Sequence, residues 1–200
     1  IQTKATLERN AGNINDFANS IRAMRRHEIE RIGLAWMSGV IDDEASLAGM
    51  TDVYDAAIEA SLQWAIQHRI NDIQIDEAPA AIAIIGMGRY GGREVNFSSD
   101  ADVIIIYRPA EGADDDQANL FARKVQEDLR AILQGPTTFE PKIELDMDLR
   151  PEGKNGPLVR SYASCEEYYR SWASTWEHQA LLRARYAAGD ASLAEDFLMN

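Results

Sequence analysis

Asp100 and Asp102 stand one residue apart in the stretch GMGRYGGREVNFSSDADVIIIY, residues 86–107, where a glycine- and serine-rich segment runs into an aliphatic block. In extended chain, alternate side chains leave the same face, with Cα atoms about 6.5–7 Å apart. Two carboxylates at the mouth of a buried strand repel each other and resist desolvation unless a cation offsets both effects. A divalent ion does so, and a third carboxylate would complete an all-oxygen site suited to Mg²⁺ or Mn²⁺. Zinc fits poorly, because Cys165 is the only cysteine and His27, His68 and His178 are scattered along the chain.

The third carboxylate has two candidates. In KIELDMDLR, residues 142–150, Ile143, Leu145, Met147 and Leu149 alternate with Glu144, Asp146, Asp148 and Arg150, which predicts a half-buried strand with an acidic outer face. Asp146 and Asp148 share that face, about 6.5–7 Å apart, so only one can be level with Asp100 and Asp102. The glycine turn adds a second element, since backbone N–H groups following a buried strand can receive an anion. It lacks the lysine of a G-x-x-x-x-G-K-[ST] loop, and its glycines do not open a long helix as a dinucleotide fingerprint does. An Asp-x-Asp alone is commonly a turn feature. Strand, glycine turn, Ser-Asp-x-Asp, buried strand and acidic strand in succession point further, to a nucleoside triphosphate bound with its metals. Two ions could clamp the attacking and leaving oxygens of a phosphoryl or nucleotidyl transfer.

The elements that must position these groups follow from periodicity. A helix is predicted from Asp16 to about Trp36, with the arginines of RAMRR on a solvated face. Residues 39–50 read as a turn and short helix, and Thr51 as the N-cap of another helix bearing Val53, Ala57, Ala60 and Trp64. Residues 80–86 and 102–107 are short apolar runs, hence buried strands. After the acidic loop EGADDDQ comes a helix with Phe121, Val125, Leu129 and Ile132 on one face, stopped at Gly135-Pro136. Ser164 and Glu167 suggest a capping box for a helix running from about Cys165 to Ala188, with Tyr169, Trp172 and Trp176 in the core and Gly189 as C-cap. The order predicts an α/β (α+β) core at 76–155 between helical segments at 1–75 and 156–200, cut from a larger protein.

Composition narrows the partners. A net charge of −13 over 200 residues argues against a nucleic-acid substrate and an anionic membrane surface. A single cysteine excludes an internal disulfide and suits a reducing, cytoplasmic setting.

The core pattern resembles the polymerase-β-type nucleotidyltransferase superfamily, with its mixed sheet, glycine turn, Asp-x-Asp pair and third strand carboxylate. More narrowly, GMGRYGGREVNFSSDADV, LDMDLRPEGKNGPLV and WASTWEHQALLRARYAAGD are similar to the glutamine synthetase adenylyltransferase family, from about Arg22 to Asp190. Members carry two homologous nucleotidyltransferase domains, one attaching AMP from ATP to a tyrosine of glutamine synthetase and one removing it. TWEHQALLRAR looks like the adenylylating, C-terminal half. The resemblance implies that Asp100 and Asp102 bind two Mg²⁺ ions, and that Asp146 completes the site and helps deprotonate the tyrosine. It places Gly88, Arg89, Gly91, Ser98 and Ser99 around the triphosphate, with Arg150 and Lys154 balancing phosphate charge. Asp148 stands where relatives often carry arginine. Implied partners are glutamine synthetase and, through the full-length enzyme, a PII-type signal protein. Two alternatives remain: the deadenylylating domain, which releases ADP by phosphorolysis of AMP-tyrosine, and a non-catalytic nucleotide-binding regulatory module.

Overall fold

Strands β1 (Ala80–Gly86) and β2 (Ala101–Pro109) pair antiparallel, in register from Ala80↔Pro109 to Gly86↔Val103. Both read as continuous apolar runs because both faces of the sheet are covered. Ile82, Ile84, Val103 and Ile105 join one core cluster, whereas Ala83, Ile85, Ile104 and Ile106 join a second with Cys165 and Leu193. The structure, a computed structural model, describes residues 13–136, 138 and 142–199. The start of the expected N-terminal helical flank, residues 1–12, lies outside them.

The elements are α1 (Ile14–Met37), α2 (Asp43–Asp72), β1, α3 (Gly88–Gly91), β2, α4 (Asp115–Gln134), β3 (Leu145–Asp146), a 3₁₀ turn (Gly153–Asn155), β4 (Val159–Ser161), α5 (Tyr162–Ser171), α6 (Thr175–Leu181), β5 (Arg185–Gly189) and α7 (Ala191–Met199). The sheet order is β3-β2-β1-β5, with β4 also on β2. Both β3 and β4 run parallel to β2, pairing Asp102↔Asp146 and Ile106↔Arg160 respectively. One edge of β2 is thus shared by two short strands, and the chain between them, 147–158, leaves the sheet. This is an α/β fold with a mixed sheet and helices at both ends.

Several expectations change. The helix expected behind an N-cap at Thr51 begins nine residues earlier, behind Asp42, whose side chain accepts from Ala45 N at 2.8 Å. Thr51 sits inside α2 and satisfies its hydroxyl by donating to Leu47 O at 2.8 Å. The arginines of RAMRR are not all solvated, for Arg22 and Arg25 are among the largest fully buried side chains. Arg22 donates from Nε and Nη2 to Ile132 O at 3.2 and 3.1 Å. That carbonyl lies in the last turn of α4, where the fourth residue on is Pro136 and has no N–H to give.

The helix expected over 165–188 is two helices and a strand. Ser161 caps α5, accepting from Ser164 N at 3.3 Å, so Ser164 lies inside the first turn and opens no capping box. The capping box belongs to Ser174 and Glu177 at the start of α6. Residues 185–189 then pair with the free edge of β1. Trp172 and Trp176 consequently leave the core, 77% and 52% exposed. Gly189 ends a strand, not a helix. Its φ is +89°, and a Cβ there would lie 2.3 Å from Ile82 O and 2.9 Å from Leu62 Cδ2. Gly189→Ala is therefore expected to destabilise the fold by about 2–3 kcal/mol, read as a lower urea midpoint at unchanged slope.

Polar contacts fasten the helices to the sheet. Asp55 on α2 accepts from Arg185 Nη2 at 2.7 Å, and Glu59 accepts from Gly189 N at 2.7 Å, so one face of α2 clamps β5. Arg69 makes a bidentate contact to Asp128 of α4 at 2.7 and 2.6 Å. Among the described residues no helix is long and apolar enough to cross a membrane.

Candidate active site

Asp102 is fixed by its backbone: its carbonyl accepts from Met87 N at 2.8 Å, and the residue lies opposite Asp146 in the β2–β3 register. Asp100 immediately precedes β2, and Ala101 N donates to Glu144 O at 2.8 Å, which ties the two acidic segments together. The outcome is that Asp100, Asp102 and Asp146 each offer a carboxylate oxygen within 4.8 Å of the others. Burial and then the charges of Asp100 and Asp146 push the Asp102 carboxyl up to about 6, with Arg89 pulling the other way. Three hard oxygen donors held together against their own repulsion fit a divalent cation such as Mg²⁺ or Mn²⁺.

Gly88 accounts for part of this geometry. Its φ is +52°, and a Cβ on it would lie 2.3 Å from Asp102 Oδ2, so only glycine lets α3 begin against that carboxylate.

Asp148 is not in the cluster. Only Leu145 and Asp146 pair with β2 before the chain turns, so Asp148 has left the strand and the shared face predicted for it is lost. Its backbone N–H donates to Asp146 Oδ1 at 2.7 Å, and its carboxylate lies 3.2 Å from Lys154 Nζ and 3.6 Å from Arg150 Nη1. Arg150, expected on the outer face, is buried and donates to the carbonyls of Met147 and Gly156 at 2.8 and 3.0 Å. It thereby pins the loop that leaves the sheet. Lys154 is exposed and borders a cavity of about 410 Å³ shared with Asp100 and Asp146. On the other flank, Ser98 and Ser99 line a cavity of about 460 Å³ with Asp100. Both hydroxyls donate to Asn96 Oδ1 at 3.1 Å, which shapes the turn leading into Asp100. Gly91 is buried, and a Cβ there would meet Arg183 O at 2.1 Å, a close approach of backbones rather than contact with the carboxylates.

Residues 2–200, a span that includes all three carboxylates, match the family model described as Glutamate-ammonia ligase adenylyltransferase. The chain belongs to that family. It is 76% identical over its whole length to the bifunctional glutamine synthetase adenylyltransferase/adenylyl-removing enzyme of Bifidobacterium longum (strain DJO10A), covering 19% of that protein. It is 46% identical over 177 residues to the protein of the same name from Mycobacterium tuberculosis (strain ATCC 25618 / H37Rv), which takes in 88% of this chain and 18% of that one. The match to the Mycobacterium marinum protein is 44% over 192 residues, 94% of this chain and 19% of the relative. The chain thus spans about a fifth of the length of these adenylyltransferase relatives.

Two residues of this adenylyltransferase-family chain carry the site from beneath, and sequence reasoning missed both. Tyr54 on α2 donates its hydroxyl to Ser99 O at 2.7 Å and accepts from Arg25 Nη2 at 2.8 Å. The Arg25 guanidinium also lies over the Tyr54 ring, 4.9 Å from its centroid. The peptide bond entering Asp100 therefore rests on a buried tyrosine and arginine. The signal was present in α1: Arg25 falls four residues after Ile21 and eight after Phe17, on the buried stripe. Tyr54→Phe should cost about 1–3 kcal/mol, because it removes the buried hydroxyl that bonds both Ser99 O and Arg25 Nη2. Thermal unfolding checks the stability, and weaker Mg²⁺ binding by calorimetry would show that Asp100 has shifted.

Proposed function

We propose that this chain is a nucleotidyltransferase domain that transfers AMP from ATP to a tyrosine hydroxyl of glutamine synthetase, as the adenylylating half of a bifunctional cytoplasmic enzyme controlling nitrogen assimilation. The observation that carries this reading is the convergence of Asp100, Asp102 and Asp146 within 4.8 Å in a chain of the adenylyltransferase family. The phenolic oxygen attacks the α-phosphorus of ATP, the bond to the β-phosphate oxygen breaks, and pyrophosphate leaves. A phenol has a pKa near 10, so a carboxylate beside it that accepts its proton lowers the barrier. Asp146, half-buried at the strand end, takes that role. All three aspartates would hold Mg²⁺, which when bound supplies positive charge to the phosphate oxygens. Arg89, whose charge already acts on Asp102, and Gly88, Ser98 and Ser99 border the triphosphate, while Arg150 and Lys154 balance phosphate charge from the loop after β3.

A second reading, removal of AMP by phosphorolysis, is favoured by one observation: the name of the 76% identical relative covers both activities. The two are separated by incubating the protein with labelled ATP and unmodified glutamine synthetase, and in parallel with phosphate and adenylylated glutamine synthetase. Label on the tyrosine supports transfer, and release of ADP without it supports removal. Calorimetry without any Mg²⁺-dependent ATP binding would instead favour a non-catalytic regulatory module. The partners in this reading are glutamine synthetase and, through the intact enzyme, a PII-type signal protein, with neither nucleic acid nor membrane involved.

A further inference from the structure

Beyond β3 and β4, α4 turns a polar face toward the loop that Arg150 pins. Arg123, Gln126 and Arg130 recur at steps of three and four along α4, and with Arg150 and Lys154 they line a cavity of about 660 Å³. Four cationic side chains meet there in a chain of net charge −13, and the lining contains one carboxylate, Glu127. Lys124 holds that carboxylate at 2.7 Å. Neither Arg123 nor Arg130 is held in a salt bridge by a carboxylate among the described residues, and the Nε of Arg130 donates only to the neutral Gln134 Oε1, at 3.0 Å. Gln126 supplies an independent observation. It is 4% exposed, it lines the cavity, and its Nε2 has no hydrogen-bond partner. A buried donor left unmade costs about 1–3 kcal/mol, which an acceptor inside the cavity would recover.

We infer that this groove binds a small phosphate-bearing anion, with Gln126 Nε2 and the guanidinium groups of Arg123 and Arg130 as donors. A phosphate presents several acceptor oxygens in different directions, which suits donors on one helix face opposed by cations on a facing loop. The volume exceeds that of phosphate alone, so the group is either free phosphate or the head of a small phosphate ester. The groove adjoins the carboxylate cavity, which Arg130, Arg150 and Lys154 also line, but Arg123 and Gln126 lie outside that cavity, so the inference stands on these two whether or not the AMP-transfer reading holds.

The test is hydrogen–deuterium exchange on the intact protein with a chelator present and inorganic phosphate added, against chloride at matched ionic strength. Peptides covering 119–130 and 150–159 should gain protection with phosphate. The Arg123→Ala/Arg130→Ala double variant, changed at exposed helix positions, should lose that protection, and its calorimetric affinity for phosphate should fall at least about tenfold. Gln126→Leu should also weaken binding while leaving stability equal or higher, since it removes an unsatisfied donor. Asp100→Asn/Asp102→Asn should keep the protection, which separates this site from the carboxylate cluster. Repeating the titration with glycerol phosphate identifies the source: tighter binding points to an ester, equal binding to free phosphate. Absence of phosphate-dependent protection at these peptides, equal protection by chloride, or undiminished protection in the double variant overturns the site.

Discussion

Asp102→Asn is expected to abolish AMP transfer and yet to stabilise the metal-free fold. The carboxyl of Asp102 lies at about 6, pushed up by burial and by Asp100 and Asp146. A carboxyl raised in the folded state binds its proton more tightly there than in the unfolded chain. Stability therefore falls as pH rises from about 4 through 6, and the full cost remains at neutral pH. The shift alone corresponds to about 3 kcal/mol, and solvent screening of this half-buried group reduces it to about 1–2 kcal/mol. Asparagine removes the charge and with it the cost, so at pH 7 the variant should be more stable by that amount, and at pH 4 nearly equal to the parent. Mg²⁺ should reverse the order, stabilising the parent and not the variant. Transfer to glutamine synthetase should drop by about 10²–10³-fold or more, as expected when preorganised charge stabilisation is removed from the reacting phosphate. Urea unfolding at both pH values, with and without Mg²⁺, reads the first part, and labelled ATP the second. A variant with normal transfer would place the chemistry elsewhere.

The parts of this site legible in the sequence are those encoded locally. β1 and β2 announced themselves as short apolar runs, because a strand buried on both faces has no polar side to show. The end of α4 was legible in Gly135-Pro136, and the Asp-x-Asp pair in its own spacing. What was lost depends on distant partners. Thr51 looked like a cap, yet a carbonyl one turn back satisfies its hydroxyl and α2 runs on. Arg22 and Arg25 looked solvated because their partners, Ile132 O and Tyr54, stand 110 and 29 residues away. The segment RYAAG fits a helix as readily as a strand by composition, and only the open edge of β1 makes it β5. Parallel pairing of β2 with β3 is likewise non-local, and how far it extends decides which carboxylate reaches the site.

That extent is the basis of the second large effect, the contrast between Asp146→Asn and Asp148→Arg. Asp146 is the last residue of β3 paired with β2, directly opposite Asp102, and its carboxylate lies in the cluster with Asp100 and Asp102. Asparagine at 146 can still accept from Asp148 N, so the turn should hold while one negative charge and one proton acceptor disappear. Transfer is expected to fall by about 10²–10³-fold with little change in stability. Asp148 instead faces Lys154 at 3.2 Å, in a pair whose lysine is largely exposed and which contributes about 0–1 kcal/mol. Arginine at 148 loses that pair and adds charge beside Arg150 and Lys154, so a destabilisation of about 1 kcal/mol and transfer within about tenfold of the parent are expected. Measuring transfer and urea midpoints for both variants decides between the carboxylates. If Asp148→Arg loses transfer as severely as Asp146→Asn should, while Asp146→Asn retains it, then β3 pairs two residues further along in the working enzyme and Asp148 supplies the third carboxylate.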